Sequence, residues 1–174
     1  MALIVEDGTG LNNADSYISL ADARIFASDY GYTLPADDTE AGVFLRKGAL
    51  YVDLSESSFT GSRLVDTQAL AWPRSDAYKC SGRNQIALPS NSVPIEIKNS
   101  QVISASYYAS GLNPRAASTG LRIQSEELTG VGKTSYFDSG GSSSTVEITE
   151  ANDMIANLMC SNAESGLSIP TLRI

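Results

Sequence analysis

Hydrophobic residues recur at helical spacing in several parts of the chain, and each part carries the start and stop signals of a helix. Ser19 and Asp22 resemble a capping box at the start of the first part, and Gly31 follows it as a stop signal. The helices predicted in this way span residues 19–31, 37–54, 93–111 and 149–166. The spacing predicts that one set of side chains is largely buried, namely Phe26, Tyr30, Phe44, Leu45, Val52, Val102, Ile103 and Ile155.

Segments without helical spacing connect and follow these helices. Residues 63–92 are predicted to be a long, mostly irregular connection, because Pro73, Gly82 and Pro89 interrupt them. Residues 121–125 alternate in the manner of a strand, with 136–137 and 146–148 as possible partners around the flexible tip 138–144. The last residues, 167–174, alternate apolar and polar side chains, which favours an extended arm that needs a partner.

These elements predict a mainly α fold, a small helical bundle with a protruding β-hairpin or long loop and an extended C-terminal arm. We expect one domain in three parts. Residues 1–114 form the helical core, 115–148 form a hairpin or flexible loop insertion, and 149–174 form the C-terminal helix and arm.

Composition excludes several kinds of chemistry. The chain of 174 residues contains no histidine and two cysteines, Cys80 and Cys160, so catalytic triads with histidine and thiolate metal sites are not expected. The net charge of −8 argues against a basic nucleic-acid-binding surface. We therefore predict no enzyme, no cofactor and no metal, with both cysteines reduced and packed.

The start of the chain gives no targeting signal. The apolar residues 2–5 run directly into Glu6 and Asp7, without a basic region or a long hydrophobic stretch. We expect no membrane partner and synthesis in the cytosol.

A short glycine-rich segment, residues 130–134, resembles the end of a phosphate-binding P-loop. The full motif needs a glycine at the position of Glu127, and the residues after Thr134 are unsuited to the helix that would hold the phosphate. A hairpin turn is therefore the better interpretation. We expect this loop to face a channel or a neighbouring protein through Gly130, Lys133, Tyr136 and Phe137.

The only tryptophan, Trp72, precedes Pro73 and Arg74 in the long connection. A tryptophan in this setting is typical of a loop anchor packed on a helix. Stacking on a nucleic-acid base is the alternative, although Arg74 and Lys79 are opposed by Asp66 and Asp76.

Two stretches resemble hallmarks of a family of tailed-phage proteins. They are residues 3–11 with 14–17, and residues 68–74 (Gln-Ala-Leu-Ala-Trp-Pro-Arg) followed by the helix start 93–98, and the intervening helix 45–53 adds to the match. The resemblance covers residues 3–110. Proteins of this kind are often labelled DnaT-like single-stranded-DNA-binding proteins, and they also resemble the head–tail connectors of phage necks.

The connector interpretation implies a structural protein of the virion neck, assembled in the host cytoplasm. It implies a dodecameric ring that contacts the portal and a tail or second neck protein, with genomic DNA as passing cargo. Trp72, Pro73 and Arg74 would anchor a lateral contact surface. The arm would dock on the portal through Leu167, Ile169, Leu172, Arg173 and Ile174. We favour this interpretation over a single-stranded-DNA-binding replication protein, because an acidic lumen lets DNA slide whereas a single-strand binder needs basic residues.

Overall fold

A computed structural model describes residues 2–81, 84–113 and 148–159, together with the backbone of 125–128 and 132–135. Its α-helices are α1 (Leu20–Tyr30), α2 (Asp38–Asp53), α3 (Ile95–Ala109) and α4 (Thr149–Ala156). A short 3-10 turn spans Glu56–Ser58. Its strands are β1 (Ser62–Arg63), β2 (Arg74–Ser75), β3 (Tyr78–Ser81), β4 (Asn84–Ala87), β5 (Ser125–Leu128) and β6 (Gly132–Ser135).

The first two helices begin and end where local sequence signals place them. The Ser19 hydroxyl accepts a hydrogen bond from the backbone N–H of Asp22 at 3.1 Å and donates to the Asp22 carboxylate at 2.6 Å. Gly31 ends α1 with a φ of 76°, a conformation that glycine adopts without strain. The Asp37 carboxylate caps α2 by accepting from the N–H of Glu40 at 2.8 Å.

The buried side chain of Gln101 connects α3 to α2 and to the N-terminal segment. Its amide nitrogen donates to the carbonyl oxygen of Leu45 at 2.9 Å and to the hydroxyl of Ser16 at 2.8 Å. Its amide oxygen accepts from the backbone N–H of Tyr17 at 2.9 Å. Because every one of these bonds is buried, Gln101 fixes the relative positions of three segments distant in sequence.

The fold is mixed α and β, so the prediction of a mainly α protein is wrong. Among the described residues, the strands form two-stranded antiparallel pairs: β1 with β2, β3 with β4, and β5 with β6. Two of these pairs include parts of residues 63–92, which were predicted to be mostly irregular. The prediction failed for β3 and β4 because β4 is exposed and β3 is at most half-buried, so neither strand shows an apolar–polar alternation.

The predicted core is partly confirmed. Five of the predicted residues are buried: Leu45, Val52, Val102, Ile103 and Ile155. Phe26 and Phe44 are half-buried, and Tyr30 is 67% exposed, so its predicted burial is wrong. Helical spacing placed Tyr30 on the apolar side of α1, but in the described structure its side chain is open to solvent, although Ala27 in the same turn is buried.

The last helix is shorter than predicted. It ends at Ala156 instead of Gly166. The turn after it forms hydrogen bonds with other parts of the fold. The carbonyl oxygen of Asn157 accepts from the N–H of Cys80 at 2.8 Å, and that of Leu158 accepts from the N–H of Thr60 at 3.1 Å. These bonds take up carbonyl groups near the helix end.

Cys80 is disulfide-bonded, so the expectation of reduced cysteines is wrong for this residue. The number of cysteines gave no sign of it, since two cysteines form no recognisable disulfide framework. Cys160 lies outside the described residues. So do 121–124, most of the predicted partner strands, the tip 138–144 and the arm 167–174.

Candidate nucleic-acid interface

Trp72, the aromatic residue that stands out in the sequence, is fully buried. Its ring meets Phe59 edge-on, with 5.7 Å between the ring centroids. Its backbone N–H donates to the hydroxyl of Tyr17 at 3.3 Å, and a cis peptide bond joins it to the buried Pro73. With no exposed ring face, Trp72 is unable to stack on a base.

Arg74 is also buried, and it forms hydrogen bonds with the backbone around it. Its guanidinium donates to the carbonyl oxygens of Thr60 and Gly61, each at 2.8 Å, and to that of Ala71 at 3.3 Å. Burial lowers the pKa of this guanidinium, partly offset by Glu56 at 3.7 Å. Since carbonyl groups occupy its donors, Arg74 is not available to a phosphate.

A polar pair, the buried Tyr17 and the half-buried Asp53, lies beside this segment. The Tyr17 hydroxyl donates to the carboxylate of Asp53, which also accepts from the N–H of Ala71 at 3.3 Å. Burial raises the pKa of Asp53 to about 6, even though the hydrogen bond from Tyr17 acts in the opposite direction. Burial and the neighbouring carboxylate raise the pKa of Tyr17 well above its usual value. The pair joins the N-terminal segment, α2 and the Trp72 loop.

The remaining residues predicted to carry function are only partly described. Lys133 lies in β6, opposite Glu127 of β5, and Leu128 pairs with Gly132. This antiparallel pairing agrees with a hairpin and not with a P-loop, in which a helix follows the lysine. The other predicted loop residues, Gly130, Tyr136 and Phe137, lie outside the described residues. So do the arm residues Leu167, Ile169, Leu172, Arg173 and Ile174.

Most basic side chains in the described part of the chain are neutralised by ion pairs. The pairs are Arg24–Asp38, Arg46–Asp15, Arg63–Glu56, Arg74–Glu56 and Lys79–Glu96. Lys47 and Lys98 form no ion pair with any described residue. Each is therefore a positive charge that a phosphate group can approach without displacing a carboxylate.

Lys47 lies over two aromatic rings. Its ammonium nitrogen is 5.3 Å from the ring centroid of Phe44, one turn earlier on α2, and 5.9 Å from that of Tyr108 near the end of α3. Both distances are within the range of a cation–π interaction. The rings thus hold the charge on one surface, and Lys47 itself is exposed.

A groove of about 430 Å³ opens beside this lysine. Its lining residues are Lys47, Leu50, Tyr108, Gly111, Leu112 and Asn113. Leu50 is 62% exposed, and Leu112 is exposed as well. We call the surface formed by Phe44, Lys47, Leu50, Tyr108 and Leu112 the Lys47 face. It combines an unpaired cation, aromatic rings and exposed apolar side chains in one place.

A second set of rings lies at the end of α1. Phe26 stacks on Tyr30 with 4.5 Å between centroids and an angle of 29°, and on Tyr32 with 5.9 Å and 13°. The hydroxyl of Tyr32 donates to the carboxylate of Glu150 at the start of α4. We call these three rings the Tyr30 ladder.

The Tyr30 ladder and the Lys47 face border the same buried residues. Phe26, Tyr32 and Phe44 pack on one hydrophobic cluster, which contains Leu45 and Val102. A second cluster, around Tyr51 and Ile103, has Phe26, Tyr32, Tyr107 and Tyr108 packed against it. Both aromatic groups therefore pack on the same buried clusters.

Another groove, of about 420 Å³, lies between the N-terminal segment and the starts of α1 and α2. Its lining contains Leu3, Leu20 and Asp38, and no basic residue. An acidic, largely apolar groove disfavours phosphate, so it is the weaker candidate for a nucleic-acid site.

The sequence pattern missed the Lys47 face because Lys47 and Tyr108 are far apart in the chain. The only local signal was the spacing of Phe44 and Lys47, which places them on one side of a helix. Within the described helices, none is long and apolar enough to cross a bilayer. The described residues also bring together no group of three or more histidine, cysteine or acidic residues suited to a metal ion.

A family model matches residues 1–174, the whole length of the chain, and its family is described as "Putative DnaT-like ssDNA binding protein". The chain belongs to this family. No curated protein and no solved structure matches the chain.

Membership of the DnaT-like family corrects the preferred interpretation of the sequence. The assignment to head–tail connectors is wrong, and so are the predicted dodecameric ring, the portal and tail partners, and DNA as passing cargo. The error came from net charge. A total of −8 says that acidic residues outnumber basic ones, but it does not say where an unpaired lysine lies.

Proposed function

We propose that this protein binds single-stranded DNA, and that the strand lies on the Lys47 face. Membership of the DnaT-like family supports binding of this kind. One observation supports this location of the strand. The ammonium group of Lys47 forms no ion pair with a described residue and lies over the rings of Phe44 and Tyr108. Single strands are bound by this combination of a cation for the backbone and rings for the bases.

The shape of the Lys47 face suits an unpaired strand better than a duplex. In a duplex the bases are stacked on each other, so their faces are not open to protein rings. An unpaired base offers both faces, and the groove beside Tyr108 is lined by the apolar side chains of Leu50 and Leu112. The favoured ligand is therefore a flexible strand with accessible bases.

The charge of the protein sets the expected strength of binding. Five of the seven basic side chains in the described structure are held in ion pairs, so in that part of the chain only Lys47 and Lys98 remain to release counterions from DNA. We therefore expect moderate affinity at low salt and a shallow dependence on salt concentration.

The test is a binding titration of a fluorescently labelled oligo-dT by anisotropy, over a series of salt concentrations. Lys47→Gln removes the charge and keeps an unbranched polar side chain, one atom shorter than lysine. Lys98→Gln is the matched control, because Lys98 is the other described lysine without an ion pair and lies in the first half of α3. Thermal unfolding of each variant verifies that it is folded.

We expect Lys47→Gln to weaken binding several-fold and to reduce the slope of log K against log salt by roughly 0.7, the loss of one phosphate contact. Lys98→Gln should leave both quantities near those of the unchanged protein. Equal effects of the two substitutions would place the strand elsewhere. Absence of binding to oligo-dT at low salt would overturn the function itself.

Two of the sequence-based predictions that these observations do not test concern activity and location. One is the absence of catalytic activity, which we propose for this protein on the lack of a histidine and of any nucleophile with an evident base. The other is the location in a virion, which was inferred together with the connector role and stays a prediction.

A further inference from the structure

The outermost ring of the Tyr30 ladder is open to solvent. Tyr30 is 67% exposed, and its ring stacks on Phe26 at 4.5 Å. Phe26 is half-buried and also stacks on Tyr32, which is held by its hydrogen bond to Glu150. The inner rings are thus fixed, which orients Tyr30 and leaves a flat aromatic surface in water.

The charges beside the ladder are acidic. Asp29 precedes Tyr30 and is exposed, and Glu150 bonds to Tyr32. Carboxylates repel phosphate, so the sugar–phosphate backbone is disfavoured there. The acidic surroundings therefore favour a neutral, flat ligand. A nucleic-acid base is such a group, since any of the bases stacks favourably on tyrosine.

We propose that Tyr30 is a base-stacking site, which takes one unpaired base of the strand whose backbone contacts Lys47. The inference rests on the proposed function and adds a second contact point to it. Phe26 and Tyr32 of the Tyr30 ladder pack on the same buried cluster as Phe44 of the Lys47 face. The two points differ in chemistry, since Lys47 attracts phosphate and Tyr30 takes the base.

This difference defines the experiment. Binding is measured with an oligo-dT and with an abasic oligonucleotide of the same length, which has the same phosphates and no bases. Tyr30→Ala removes the exposed ring, and Tyr30→Phe restores it without the hydroxyl. Ile25→Ala is the matched control, because Ile25 is 60% exposed on the same helix. It lies on another side of α1, since five residues turn a helix by about 140°.

We expect Tyr30→Ala to weaken binding of oligo-dT by about fivefold or more, the loss of one stacked base, and to leave binding of the abasic strand unchanged. Tyr30→Phe should bind like the unchanged protein, and so should Ile25→Ala. Lys47→Gln should weaken the binding of both oligonucleotides, because both carry phosphates.

Two results would overturn the stacking site while leaving the proposed function intact. One is an equal loss of affinity for both oligonucleotides in Tyr30→Ala. The other is no loss for either, in which case an aromatic or apolar segment of a partner protein becomes the better occupant of the ladder. Failure of the unchanged protein to bind oligo-dT would instead overturn the proposed function and the stacking site together.

Discussion

A Cβ atom built on Gly48 of α2 would stand 2.3 Å from the carbonyl oxygen of Gln101 in α3. No side chain fits at that distance, so the backbones of the two helices meet directly at this point. The close approach also brings the side chain of Gln101 within reach of the carbonyl group of Leu45. Gly48 is therefore required by helix packing and not by a turn.

Gly48→Ala should destabilise the protein by about 1–3 kcal/mol, the usual cost of overpacking, although alanine is the better helix former. Gly42 provides the control on the same helix, because the nearest atom to a Cβ built there is 3.5 Å away, in the flexible side chain of Arg46. Gly42→Ala should stabilise the protein by about 0.5–1 kcal/mol. Urea unfolding of both variants measures the two effects. Equal changes would show that helix propensity, and not packing, decides at Gly48.

The fluorescence of Trp72 should not respond to DNA. Its ring is fully buried against Phe59, so no base can reach it. A titration with oligo-dT, followed at saturating binding by anisotropy, should leave the tryptophan emission unchanged. Because the chain has one tryptophan, the signal has a single source. Quenching that saturates together with the anisotropy would contradict the buried position.

Local signals predicted the helices well because those signals act within a few residues. The hydroxyl of Ser19 and the carboxylate of Asp37 cap their own helices, and Gly31 adopts the conformation that ends α1. The early end of α4 was not predictable in this way, because the groups that bond to the turn after it belong to Thr60 and Cys80.

The candidate site was not predictable from the sequence for the same reason. The charge of Lys47 matters because no described carboxylate pairs with it, and the ion pairs of the other basic residues form only in the folded chain. Exposure is also a tertiary property. Trp72 is buried, as expected of a loop anchor, whereas Tyr30 was expected in the core and is 67% exposed.

The buried carboxylate of Glu6 should be needed for the loop that follows it. It accepts hydrogen bonds from the backbone N–H groups of Gly8 and Gly10, each at 2.9 Å, and of Leu11 at 2.8 Å. Glu6→Gln turns one acceptor oxygen into a donor, which then faces an N–H group. We expect a loss of about 1–3 kcal/mol in the free energy of unfolding, the cost of leaving a buried group unsatisfied.

Asp7→Asn is the control for Glu6→Gln, since Asp7 is the next residue and is exposed. Its carboxylate bonds only locally to Thr9, which lowers its pKa. Chemical denaturation should show little change for this variant. A larger loss in Asp7→Asn than in Glu6→Gln would mean that the exposed turn, and not the buried carboxylate, holds the loop.

The stability of the protein should fall between about pH 4 and pH 6 as Asp53 ionises. Burial raises the pKa of this carboxyl from 3.8 to about 6 in the folded protein. The folded state therefore binds the proton more tightly than the unfolded state, so the contribution of Asp53 is most favourable below the unfolded pKa and declines as pH rises through the folded one. At about 1.4 kcal/mol for each pKa unit, the full loss above pH 6 is about 3 kcal/mol.

Asp53→Asn removes this loss, because the amide oxygen can still accept the hydrogen bond from Tyr17 and carries no charge. The variant should match the unchanged protein at pH 4 and exceed it in unfolding free energy by up to about 3 kcal/mol at pH 7. Asp66→Asn, at an exposed position, should show no such growth of the difference with pH. Urea unfolding at a series of pH values measures both variants against the unchanged protein. A difference for Asp53→Asn that stays constant from pH 4 to pH 7 would contradict the raised pKa, because a purely structural effect of the amide does not follow the titration of a carboxyl group.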